Sequence, residues 1–211
     1  LTLTVLTATS QGNPQRGALI QGIYRGNFLL MGYPLARNLF GEEGIGPTAM
    51  LLPVVIIMYT VIAVFLLEYY AGTEEKVNKG KVLLGVITNP LIIGSLAGAL
   101  FALLPFELPL FLSRATEDIS KIANPLALVL LGGQFNWRQA AGNFRLLAAA
   151  VSLRMFIIPP LVIAAAVLLG FRGPELGAVF ILFCAPTAVS SYIMARSMNS
   201  DAPLAGQIIL A

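Results

Sequence analysis

The chain contains no histidine. That removes the commonest metal ligand and the side chain that most often carries protons near neutral pH. It contains one cysteine, Cys184, so no disulfide can form within the chain. This thiol sits in an apolar run and reads as a small packing residue. Charge is also scarce. Asp, Glu, Lys and Arg make up 11% of the 211 residues, against about 25% in a soluble domain. The net charge of +3 is spread thinly, and no basic patch points to nucleic acid. With no metal-ligand cluster and no nucleophile paired with a base, the chain carries no pattern of an enzyme, a metal site or a bound cofactor.

Apolar residues fill the space that charge leaves. They make up 57% of the chain, and the mean hydropathy is +0.84. This composition is that of an all-α polytopic membrane protein, with the lipid bilayer as its first partner. A span needs about 20 mainly apolar residues. Five complete candidates lie at 24–41, 48–70, 82–104, 146–170 and 175–196. A sixth, 108–135, is mixed: Arg114, Glu117, Asp118 and Lys121 occupy its first half. Residues 1–9 and 204–211 read as pieces of further spans, so a fragment of a longer protein is expected. Alternate loops gather unequal charge. Arg16, Lys76, Lys79, Lys81, Arg138, Arg145 and Arg196 fall on one face; Arg37 and Arg172 fall on the other, with Glu42, Glu43, Glu107 and Glu175. The positive-inside rule makes the first face cytoplasmic.

Two of the apolar segments resemble each other. Tyr33–Asn38 reads YPLARN and Tyr192–Ser197 reads YIMARS, so Tyr, Ala and Arg coincide at an offset of 159 residues (33 to 192). Roughly two turns before each Tyr stand helix-breaking or polar residues, Arg25-Gly26-Asn27 in one segment and Cys184-Ala185-Pro186-Thr187 in the other. The charge pattern runs the two segments in opposite directions, as an inverted repeat requires. A matched pair of interrupted segments points to a transporter's substrate site.

The physical reason lies in the backbone. Interrupting a helix inside lipid frees N–H and C=O groups, which survive only around a protein-lined cavity. The start of each downstream half carries about half a positive charge. Two such starts aimed at one place suit an anion, most simply a carboxylate. Gly26, Asn27, Pro186 and Thr187 are therefore candidate substrate-binding residues. Asn27 and Thr187 can cap the downstream halves or bond the substrate directly, and Asn27 can instead form a plain interhelical hydrogen bond. Ser190, one turn beyond Thr187, can face the substrate or bond back to its own helix, and Ser191 has the same choice. Asn124, next to Pro125, repeats the polar-plus-proline theme, but such a pair can simply bend a helix. Arg154 lies in a strongly apolar stretch, either as a functional charge or snorkelling to the interface. Glu117 and Lys121 are spaced for an ion pair or a solvated face. A midplane carboxylate to carry a coupling proton is missing from the complete spans.

The runs QGIYRGNFLLMGYPLARNLFGEEG (Gln21–Gly44), MYTVIAVFLLE (Met58–Glu68), ANPLALVLLGGQF (Ala123–Phe135), LRMFIIPPLV (Leu153–Val162) and CAPTAVSSYIMAR (Cys184–Arg196) stand in this order. Together they resemble the signature of the auxin efflux carrier family, including its bacterial malonate-carrier-like members. The resemblance implies ten spans in two inverted five-span repeats, with two broken helices crossing near the midplane. Residues 1–70 would end the first repeat, 71–81 would be a cytoplasmic linker, and 82–211 would form most of the second repeat. It also implies a substrate-near tyrosine at Tyr59. The expected function is a carrier of small organic anions, mono- or dicarboxylates, across the bacterial inner membrane by alternating access. A membrane-embedded sensor or regulatory subunit that binds such an anion without moving it is the alternative. The oligomeric state is left open, a homodimer included.

Overall fold

Proline and glycine decide where the helices of this chain stop, bend and widen. The computed structural model describes residues 13–71, 80, 84, 87–88, 90–104, 109–133 and 135–211. Among them the chain is helical, with a single isolated bridge in place of any strand. The segment 1–9 and, apart from Gly80, the Thr73–Lys81 loop expected on the cytoplasmic face lie outside the described residues.

Helix α1 spans Asn13–Tyr24. After a three-residue break, a π-helical turn, Phe28–Gly32, leads into α2, Tyr33–Gly44. The long α3 covers Gly46–Ala71, α4 Pro90–Leu103 and α5 Leu110–Gly133. A short α6, Trp137–Gly142, starts on the Asn136 side chain, which accepts from the N–H groups of Arg138 and Gln139. Then come α7, Phe144–Val151, a second π-helical turn, Ser152–Ile157, and α8, Ile158–Leu168, as one continuous rod. The last three are α9, Gly173–Cys184, α10, Ser190–Ser197, and α11, Ala202–Leu210. Among the described residues two helices are long and apolar enough to cross a membrane, Gly46–Tyr70 and Phe144–Leu168, each of 25 residues.

Both π-helical turns precede a proline. Pro34 follows Phe28–Gly32, and Pro159-Pro160 follow Ser152–Ile157. A proline ring clashes with the carbonyl four residues back and offers no N–H to it, so widening the preceding turn relieves both problems. Proline does not always interrupt. Pro53 and Pro125 lie inside unbroken helices, so Asn124-Pro125 does not make a third break.

The first span differs from its expected bounds. The sequence places it at 24–41, whereas the helical segment begins at Asn13 and its break lies in the middle, at Arg25–Asn27. The upstream half contains Gln15, Arg16 and Gln21, which depress its hydropathy. Gln21 is nevertheless fully buried, because α1 packs against α3 and α11 rather than facing lipid.

Inside a bilayer, helices gain little by hiding apolar surface from lipid tails, and close packing has to hold them together. Small residues permit it. A Cβ on Gly22 of α1 would come within 2.9 Å of Ile208 on α11, and one on Gly177 of α9 would collide with the Phe40 ring of α2. The larger core joins Leu19 and Ile23 of α1, Leu147 of α7, Tyr192 of α10 and Leu204 of α11. A second cluster joins Phe28, Val55, Tyr59, Ile181 and Leu182 around the break. By contrast, α5 is largely exposed, and its Lys121 pairs with Glu117 at 2.7 Å on an open face.

Candidate functional site

Two helices end in mid-chain and are repaired by each other. On one side, Pro186 pushes Ala185 out of the helical region, to φ −60° and ψ 139°, and α9 ends at Cys184. On the other, α1 stops at Tyr24, and Gly26 supplies the room for a close approach. Gly26 and Thr187 form an antiparallel bridge. The Asn27 N–H donates to the Pro186 carbonyl at 2.7 Å, and the Ala188 N–H donates to the Arg25 carbonyl at 3.1 Å. Each of these groups would cost several kcal/mol if left unpaired in lipid. The two interruptions thus satisfy one another, which neither could do alone.

Side chains complete the repair. The Thr187 hydroxyl donates to the Gly22 carbonyl at 2.8 Å. Arg154, projecting from the second π-helical turn, reaches both breaks. Its Nη1 donates to the Ile23 carbonyl at 2.7 Å, and its Nε and Nη2 donate to the Ala185 carbonyl at 3.2 and 2.5 Å. Those carbonyls close the C-terminal ends of α1 and α9, where helix dipoles concentrate negative charge. A planar fork of donors suits this double attachment better than a point charge does. Arg154 is buried, so it does not snorkel to the interface.

A cavity of about 200 Å³ opens beside the bridge, toward α3. Gly26, Asn27, Tyr59 and Ser190 line it, together with Arg25 and Thr60. Tyr59 is held in place by Tyr24, whose ring meets it edge-on at 5.7 Å and whose hydroxyl donates to the Tyr59 carbonyl at 3.3 Å. Arg25 is 8% exposed, and its Nη1 contacts the sulfur of Met194. A second cavity of about 170 Å³ lies on the opposite side of the bridge, lined by Arg154, Pro186 and Thr187 among others.

The residues singled out from sequence therefore divide. Gly26, Asn27, Tyr59 and Ser190 share one cavity, while Pro186 and Thr187 face the other. Asn124 lies on α5. Asn27 stands at the N-cap of the π-helical turn without a side-chain capping bond, and the Thr187 hydroxyl is engaged with Gly22 rather than capping a downstream helix. The sequence reading also passed over Arg25, taking it only as part of the break, and left the role of Arg154 open. The signal available for both was a lone cation in an apolar segment. Among the described residues no cluster of His, Cys, Asp and Glu is placed to hold a metal ion.

Thr187 is thus a structural latch. Thr187→Ala should lower stability by about 1 kcal/mol, or about 2–4 °C in melting temperature for a chain of this size. Thermal unfolding in detergent reads this directly, and an unchanged midpoint would show that the hydroxyl holds nothing.

No curated protein and no solved structure gives a significant match to the chain. A family model described as membrane transport protein matches residues 2–211. That match covers nearly every residue, the two breaks included. The chain belongs to this membrane transport family, that of the auxin efflux carriers, and is a membrane transport protein.

Proposed function

We propose that the chain is part of a multi-pass inner-membrane carrier for small organic anions that works by alternating access. The single observation that carries this reading is the bridge between Gly26 and Thr187, with a cavity beside it. Broken backbone at membrane depth has one common use, to surround a solute with groups that a regular helix hides. The segments holding YPLARN and YIMARS are taken as the corresponding helices of two inverted repeats, with the 71–81 segment as the cytoplasmic linker between them. Asn27, Tyr59 and Ser190 are assigned to the substrate, with Gly26 giving it access to the backbone.

Export of a monoanion gains about 2.3 kcal/mol per 100 mV of membrane potential. That is enough to drive a carrier with no coupling ion. The test is flux in proteoliposomes under a potassium diffusion potential, with labelled mono- and dicarboxylates supplied in turn. Saturable flux of at least one anion, faster when the potential favours its movement, is the expected result. Binding without flux would make the protein a sensor and end the carrier reading.

A further inference from the structure

We infer that Arg25 is the residue that holds the cargo's charge, and that the cargo is a monocarboxylate with a short apolar body. This assignment presupposes the carrier function proposed for the same cavity.

The two buried arginines beside the bridge are differently placed. The Arg154 fork is directed at two backbone carbonyls and has a structural task. Arg25 is as deeply buried, yet its described side-chain contact is a thioether, a weak acceptor. A guanidinium offers five N–H donors, and one sulfur leaves most of them free. Among the described residues the ion pairs are Arg37–Glu42, Lys121–Glu117 and Lys121–Asp118, all of them exposed. No carboxylate of the described chain therefore meets Arg25. A buried cation without a counter-ion is costly, and inside a membrane it is a functional-site candidate unless backbone carbonyls engage it. Arg25 lines the cavity beside Asn27, Tyr59 and Ser190. A carboxylate entering there would find a fork matched to its two oxygens.

The rest of the cavity sets the other end of the cargo. Phe28, Leu29, Leu30, Val55 and Ile56 form much of the wall. A second carboxylate placed against them would be desolvated with no cation to meet it. One fixed charge and an apolar wall therefore select a single carboxylate attached to a few carbons, which a volume of about 200 Å³ can hold.

The experiment uses purified full-length protein, with butyrate, succinate and butyramide as probes for calorimetric binding and for flux. Wild type is expected to bind butyrate at least about tenfold more tightly than butyramide or succinate. Arg25→Gln should weaken butyrate binding by about ten- to a hundredfold, the usual effect of losing a hydrogen bond to a charged group. It should also bring butyrate and butyramide close to parity, while Arg25→Lys keeps the preference for the anion. Arg25→Gln with unchanged butyrate affinity and flux would overturn the assignment and leave the carrier standing. Equal wild-type affinity for butyrate and butyramide would overturn it too, and needs no variant to fold. Tighter binding of succinate would overturn the single-charge cargo. Absence of carboxylate binding and flux in wild type would remove the carrier reading itself.

Discussion

Arg154→Met should destabilise the protein severely. The guanidinium holds the Ile23 and Ala185 carbonyls, at the ends of two separate helices, with one side chain. Methionine fills similar space and donates nothing. Each hydrogen bond to a charged group contributes about 1.5–3 kcal/mol, so losing both attachments costs about 3–6 kcal/mol. That is a large part of the 5–15 kcal/mol typical of a whole domain. The expected fall in melting temperature is about 10 °C or more, with poor recovery of monodisperse protein in detergent. Arg154→Lys should restore only part of the loss, because an ammonium is a point donor that cannot span both carbonyls in one plane. A methionine variant that melts within a degree or two of wild type would show that the clamp contributes little.

Gly26→Ala should reproduce much of that damage from the other side. A Cβ at this position would collide with the Arg154 guanidinium and approach the Leu182 carbonyl to 3.1 Å. The carbonyl belongs to α9 and cannot retreat without moving the helix. The guanidinium can move only by leaving the Ala185 carbonyl. One methyl group should therefore cost about 2–3 kcal/mol, in the range of overpacking a tight site, and abolish flux. The double variant gives the sharper test. If both substitutions act through the same network, Gly26→Ala combined with Arg154→Met should cost clearly less than the two single losses added together. Strict additivity would mean that Gly26 serves some other contact.

The sequence made one break legible and only half disclosed the other. Pro186 disfavours a helix at Ala185, and the match between YPLARN and YIMARS pointed to its counterpart near Gly26. What the letters could not show was where the first broken helix begins. Gln15, Arg16 and Gln21 look like loop residues in a hydropathy scan, and only the packing of α1 against α3 and α11 shows that Gln21 is internal. The candidate site was legible to a similar degree. Asn27, Tyr59 and Ser190 do gather beside one cavity. The partition of Thr187 to the other side depends on the bridge register and on a hydroxyl reaching back to Gly22. Arg25 and Arg154 look alike in sequence, each a single cation among apolar neighbours. What separates them is what each guanidinium meets in three dimensions, two backbone carbonyls for Arg154 and a thioether sulfur for Arg25.

The clamp at the bridge has an uneven exposure to mutation. Its donors sit on one side chain, but its acceptors are main-chain oxygens, which every residue type possesses. Ile23 and Ala185 could drift to other residues of similar bulk and the clamp would keep both attachments. A single codon change at Arg154 removes them all. A saturation library should therefore divide sharply here, with apolar substitutions of similar bulk tolerated at 23 and 185 and almost none at 154.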